Sequence, residues 1–374
     1  MPEGAPGWRW LLPLVPTSMD RRHFVSAIGA AALAPRVLTS QAQPSRSVVI
    51  DGLGEIHLDY STALLDEMRA TGMRACVVTV GNPALQGASA FDDMREEALA
   101  YDAHVARTRS RLSKAVATAD IDRAVQDRSI ALIYYTQNAT PIGDDVTRLD
   151  ALQQLGVRIV QLTYNTRNLL GDGCLERTNA GLSTFGLAVL EGMKSRRMLI
   201  DVSHSGEATS LDAIWLAGVP VAITHAGCKS VFDHPRNKSD VVLRAMANGG
   251  GVIGIYQINP YLGPNERNTL DTYIAHIEHA INVAGIEHVG IGSDREHRTI
   301  PDTPEEKQKL IDELSRLRPV TAATFRWPFF ISELNHPRRM ETIHRALEAR
   351  RRPGADIDRV MGGNFYRLFR DTIG

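Results

Sequence analysis

Two short stretches of this chain, Met198-Leu-Ile-Asp-Val-Ser-His204 and Val219-Pro-Val-Ala-Ile-Thr-His225, run through apolar residues and end in histidine. Nearly charge-free, β-branched runs of this length read as strands buried on both faces, the kind found in parallel sheets. Between them Ser205 to Leu216 reads as a single helix, so the segment is a βαβ unit with an imidazole at each strand end. Parallel strands of one sheet point the same way. Both imidazoles therefore emerge on the face where open α/β sheets and barrels bind their ligands. Two neutral imidazoles converging there suit a divalent transition metal.

The same rhythm extends along the chain. Apolar runs recur at Val48-Ile50, Ala75-Val80, Ile130-Tyr135, Arg158-Thr163, Leu199-Val202, Val221-Thr224, Val252-Ile255 and His288-Ile291. Helical patterns separate them: Ser61-Thr71, a long charged stretch around Asp92-Asp127, Gly181-Lys194, Glu207-Leu216, Asp240-Asn248 and Leu270-Ala284. Eight strands alternating with helices predict an α/β protein of the (β/α)8 TIM barrel type, with a doubly wound open sheet as the alternative. No G-x-G-x-x-G follows any of the strands, so a dinucleotide site is not supported. Gly72, Gly156, Gly218 and Gly285 each stand just before a strand, where a left-handed helix end is expected. The regularity predicts one domain over residues 47–374, interrupted by an irregular insertion at 295–340. That insertion carries five prolines, a charged helix from Glu305 to Leu317 and the aromatic group Phe325-Arg-Trp-Pro-Phe-Phe330. An insertion at the active face of a barrel reads as a lid, a dimer contact or packing over the mouth.

Lys and Arg number 42 against 43 Asp and Glu, a net charge of −1, so no polyanionic partner such as nucleic acid is indicated. Three cysteines, none in a C-x-x-C pair, exclude a disulfide scaffold and a thiolate zinc site. Residues 1–46 read as an export signal and linker. Asp20-Arg-Arg-His-Phe-Val25 precedes a weakly apolar stretch from Ser26 to Ala34 that ends in an A-x-A site, the pattern of a twin-arginine signal. The stretch is too short for a stable membrane span. A periplasmic or secreted protein is expected, with Met19 as an alternative start to Met1.

In a barrel the strand ends list the site. They supply Asp51-Gly-Leu-Gly-Glu55, Gln137-Asn138, Tyr164-Asn165, His204, His225 and Asp294. A metal held by His204 and His225 is a Lewis acid for water, and Asp294 is placed to move the proton. Asp294 could alternatively cap a following helix. In the loop Asp233-His-Pro-Arg-Asn237, the Arg236 guanidinium is suited to a two-pronged grip on a carboxylate.

Leu199-Ile-Asp-Val-Ser-His204, Ile223-Thr-His225, His234-Pro-Arg-Asn237, Val289-Gly-Ile-Gly-Ser-Asp294, Gly362-Gly-Asn-Phe365 and Gly156-Val-Arg-Ile-Val-Gln-Leu-Thr-Tyr-Asn165 resemble the membrane dipeptidase (renal dipeptidase) family of zinc peptidases. The resemblance runs from about residue 48 onward, with the motifs in the same order. It implies a metal-dependent barrel acting on small peptides or related amides with a free carboxylate, and a homodimer. By resemblance His204 and His225 are ligands of one zinc ion and Asp294 is the acid beside the attacking water. Arg236, with Asn237 and Asn165 beside the pocket, binds substrate. The departures are equally specific. The family's Asp-Gly-His-x-Asp reads Asp51-Gly-Leu-Gly-Glu55 here, and Leu53 cannot coordinate. His57-x-Asp59 lies out of register. The glutamate that bridges two metals in the family is replaced in Tyr134-Tyr-Thr-Gln-Asn138, and a family histidine near the substrate is Tyr164. A neutral amide does not offset the repulsion between two dications. The expectation is therefore one zinc ion at most, on His204, His225 and Gln137 or Glu55, with Tyr164 donating to an oxyanion. A metal-free barrel that binds or tailors small peptides is the rival reading.

Overall fold

The computed structural model describes residues 48–315 and 325–374, and the export signal lies outside the described residues. All eight expected strands form. They are β1 (Val49–Asp51), β2 (Met73–Thr79), β4 (Ile130–Thr136), β5 (Val157–Gln161), β6 (Leu199–Asp201), β7 (Val221–Ala226), β8 (Val252–Ile255) and β9 (Val289–Ile291), hydrogen-bonded in that order. Each neighbouring pair is parallel. The two edges meet: Gly52 N donates to Ile291 O at 2.7 Å, Asp294 N to Leu53 O at 2.9 Å and Glu55 N to Arg295 O at 3.0 Å. These bonds close the sheet into a (β/α)8 barrel.

Alternation along the strands builds two shells. Ala75 and Val77 of β2, Ala131, Ile133 and Tyr135 of β4, Ile159, Leu199, Ala222 and Val252 point inward and fill the barrel. Cys76, Val78, Leu132, Tyr134, Val160, Ile200 and Ile223 point outward under the helices. A period of two with both faces buried is what a run of β-branched residues gives when helices cover the sheet. The helix Asn364–Thr372 closes the floor with Phe365 and Phe369. A Cβ at Gly52 or Gly290 would come within 2.3 Å or 2.7 Å of the Phe365 ring, so glycine on both closing strands makes room for that plug.

The helices Glu207–Leu216, Asp240–Asn248 and Leu270–Ala284 have the bounds expected from sequence. The long charged helix around Asp92–Asp127 does not form as one piece. It divides into Gly87–Arg107 and Thr118–Asp127, with a short strand β3 (Leu112–Lys114) between them. The physical reason lies in β4. β5 joins that edge only from Tyr134 onward, leaving the first half of it open, and Leu112–Lys114 pairs with Ile130–Leu132 there. Of the insertion at 295–340, the helix Pro304–Ser315 forms, and Leu310, Leu314, Phe329 and Phe330 lie over the barrel mouth. No helix among the described residues is long and apolar enough to cross a membrane.

Candidate active site

The two strand-end histidines converge. His204 Nε2 and His225 Nε2 lie 2.9 Å apart. His204 Nδ1 is 2.8 Å from Asn165 Oδ1, an amide oxygen that can only accept, so the ring proton sits on Nδ1. His225 Nδ1 is 2.9 Å from Thr224 Oγ1, whose own proton goes to Asp201 Oδ2 at 2.9 Å. Both Nδ1 atoms are thereby donors, and both Nε2 lone pairs face each other across one small gap. Two lone pairs at that separation repel unless a proton or a metal cation lies between them, and outer-shell partners of this type fix ligating imidazoles. Burial, and then the charges of Arg236 and Lys238, push the His225 pKa well below its ordinary value and keep the ring neutral. The donor set fits one borderline ion. It does not fit two: Leu53 packs inside the barrel, and among the described residues no third His, Cys, Asp or Glu donor lies within 4.8 Å of both Nε2 atoms.

A polar pedestal carries this pair. Asp201, at the end of β6 and fully buried, accepts from Thr224 N at 2.8 Å, from Ser203 Oγ at 2.7 Å and from Tyr135 Oη at 2.5 Å. Ser203 Oγ accepts from His225 N at 3.1 Å, and Ser203 O accepts from Arg236 Nη1 at 2.6 Å. His225 and Arg236 thus hang on the same two residues. Sequence reasoning passed over Tyr135, Asp201, Ser203 and Thr224, although a carboxylate inside an apolar strand is itself a signal, because a buried charge survives only where it is bonded on several sides.

Arg236, 4% exposed, has no partner at Nη2 and lines a cavity of about 330 Å³ at the mouth. Gln137, Tyr164, Asn165, His204 and Asp294 line the same cavity. The Tyr164 ring stacks on His204 with centroids 4.2 Å apart. Gln137 donates through Nε2 to Thr79 Oγ1 at 2.9 Å, which leaves Oε1 as its remaining acceptor. Asn165 holds His204 through its side-chain oxygen. Asn237 is not brought to this cavity: its amide donates to Phe232 O and Tyr261 O, both at 2.8 Å, and its oxygen accepts from Tyr256. It staples the loop that presents Arg236. Asp294 caps no helix, since none begins before Pro304. Its backbone is left-handed at φ 52, and burial raises its pKa to about 6 against the pull of Arg236. On the neighbouring strand end, Glu55 is raised to about 8 by burial, with Glu97, Asp294 and Glu296 adding to the shift.

A second group of donors, Asp51, Cys76 and His297, lies within 4.8 Å of one another. Asp51 and Cys76 alternate with the interior residues Ile50, Ala75 and Val77, so they face outward, behind the barrel wall. Ser293 donates to both carboxylate oxygens of Asp51, at 2.8 Å from N and 2.5 Å from Oγ, and Arg339 Nη2 stands 3.6 Å away. The carboxylate is already satisfied and a guanidinium occupies its cationic side, so this group ties β1 to the loop after β9.

Residues 55–318 match the family described as membrane dipeptidase, peptidase family M19. An uncharacterized protein in the pqqA 5′ region of Klebsiella pneumoniae is 31% identical over 208 residues, 53% of this chain and 77% of that one. The dipeptidase verJ of Clonostachys rogersoniana is 31% identical over 192 residues, and the match spans 51% of this chain and only 49% of verJ. Among solved structures, an amidohydrolase from Pseudomonas aeruginosa superposes with a TM-score of 0.77 at 29% identity, covering 87% of this chain and 96% of that one.

Proposed function

The chain belongs to the membrane dipeptidase family, peptidase family M19, and from that premise we propose that it hydrolyses small peptides or related amides that end in a free carboxylate. The observation that carries this reading is the pair of Nε2 lone pairs 2.9 Å apart, next to an orphaned buried guanidinium.

Arg236 takes the substrate carboxylate at Nη2 while Nη1 stays anchored on Ser203 O. This sets the scissile carbonyl against His204, where Tyr164 is placed to donate to the oxygen as it gains charge. His204 and His225, with Gln137 as a further ligand, would hold a zinc ion, which would supply Lewis acidity at that point. Asp294 takes the proton from water as the water oxygen bonds to the carbonyl carbon. It then delivers that proton to the amine nitrogen as the C–N bond breaks. A carboxyl held near pH 6 is matched to both halves of that transfer.

Leu53 and Gln137 favour one second reading, a barrel that binds small peptides without a working metal. Elemental mass spectrometry on protein purified without added metal or chelator, combined with a dipeptide hydrolysis assay, decides between them. About one zinc per chain with release of free amino acids supports the hydrolase. Calorimetric binding that ignores chelator and yields no amino acids overturns it. We also assign the protein to the periplasm or the exterior on the strength of Arg21-Arg22 and the apolar stretch that follows. Loss of export when both arginines become lysine is the check.

A further inference from the structure

The substrate cavity carries charged groups of opposite sign set in apolar walls, and this bears on which peptides the proposed hydrolase takes. On the β7 and β8 side stands Arg236, with Nη2 unpartnered and aimed into the cavity, against an apolar wall of Ile258, Tyr261, Phe329 and Phe330. The same cavity is lined by Glu55, after β1, and by Glu313 on the covering helix. Beyond Glu55, Gln137 and Tyr164, which line both spaces, the cavity adjoins a second hollow of about 500 Å³. Its walls carry Glu55, Asp93, Glu96, Glu97 and Glu313, and among the described residues they contain no lysine, arginine or histidine.

The backbone uses part of this charge: Gly81 N donates to Glu97 Oε2 and Asn82 N to Asp93 Oδ2, both at 2.6 Å. The remaining oxygens have no cation on the hollow's own walls. Burial and the nearby Asp93 raise the pKa of Glu97, the mark of a carboxylate lacking a counter-charge. A chelated metal is not what these groups await, because their oxygens do not gather within 4.8 Å of one another. Charge spread over a hollow several ångströms wide suits an extended organic cation instead. A carboxylate on Arg236 fixes one end of the ligand, and chain length then carries the side chain of the amino-terminal residue past Glu55.

Resting on the hydrolase reading, we propose that the preferred substrates are peptides with a cationic amino-terminal residue and an apolar carboxy-terminal one. Lys-Leu is the model case, Met-Leu its neutral counterpart of similar length, and Glu-Leu the reversed charge. With the full chain in zinc-supplemented buffer, kcat/KM for Lys-Leu should exceed that for Met-Leu by about tenfold, since one desolvated charge contact is worth about that factor. Glu-Leu should be slowest, and added salt should compress the series. Glu96→Gln with Glu313→Gln, both on exposed positions, should narrow the ratio of Lys-Leu to Met-Leu. Rates for the three peptides within twofold of one another would overturn the proposal while leaving the hydrolase standing. If none is hydrolysed, the hydrolase reading fails. Calorimetry with the same three peptides then decides this one, upheld by tighter Lys-Leu binding and overturned by equal affinities.

Discussion

The two sides of the barrel mouth are built on opposite principles. On the β6–β7 side each of the three side chains has a supporting partner: Asn165 behind His204, Thr224 behind His225, Ser203 behind Arg236, and Asp201 beneath them. On the β1–β2–β4 side, Leu53 is drawn into the core and Gln137 is tethered to Thr79, while Glu55 is left with a single hydroxyl donor. The first side is preorganised for a cation at a fixed point. The second gathers carboxyl groups without a fixed point for a cation. On the proposed reading, the side that lacks the family's imidazole and bridging acid serves to select a cationic side chain.

Breaking the rigid side should have the largest effect. His204→Ala should lower kcat/KM by on the order of a thousandfold and reduce bound zinc to background, with circular dichroism unchanged. Full activity in that variant would remove the metal from the mechanism. Arg236→Met should cost on the order of a hundredfold for substrates with a free carboxylate. It should also erase the preference for the acid over the corresponding peptide amide, measured as a ratio of kcat/KM. Rebuilding the other side sharpens the contrast: Gln137→Glu should tighten zinc binding by roughly tenfold in competition with a chromogenic chelator. The variant should reach two ions per chain only when Leu53→His is added.

Protonation gives the smaller effects. Asp294 must be ionised to accept a proton, so activity should rise with pH through about 6, and Asp294→Asn should remove that limb along with most of the rate. Lys238, buried under the histidine side and donating to Ser205 O at 2.7 Å, is lowered to about 7 by burial. The folded state therefore gives up this proton before the unfolded state does, and stability should increase as pH climbs from about 7 toward the unfolded value of 10.5. Glu55 opposes the trend up to about 8, because its raised pKa favours the folded state at lower pH. The clean window is thus pH 8 to 10, where the melting temperature should rise in the wild type and stay flat in Lys238→Met.

Strand positions were legible because a strand covered on both faces is a continuous apolar run, and helix ends because glycine marks them; Gly156 and Gly285 adopt φ of 96 and 92 as expected. β3 was not legible, since three residues pairing with a half-open edge leave no pattern of their own. Within the site, His204, Tyr164, Gln137, Arg236 and Asp294 could be named from strand ends and now share one cavity, with His225 directly behind His204. Asn237 could not be told from a ligand-binding amide, because its three partners, Phe232, Tyr256 and Tyr261, lie outside the strands. Glu313, Phe329 and Phe330 were out of reach for a different reason. They arrive over the mouth from an insertion whose path no local pattern encodes.

Phe365 acts as a spacer at the opposite end of the barrel. Its ring is clasped between Gly52 and Gly290, on the two strands whose meeting closes the cylinder. Three residues above those glycines on the first strand, and four on the last, stand Glu55 and Asp294, side by side at the rim, where Asp294 N donates to Leu53 O and Glu55 N to Arg295 O. The ring that wedges the seam at its base therefore shares two strands with two carboxyl groups at its top. A smaller ring or an aliphatic side chain at position 365 would let that seam settle and shift the pair from the far end of the molecule.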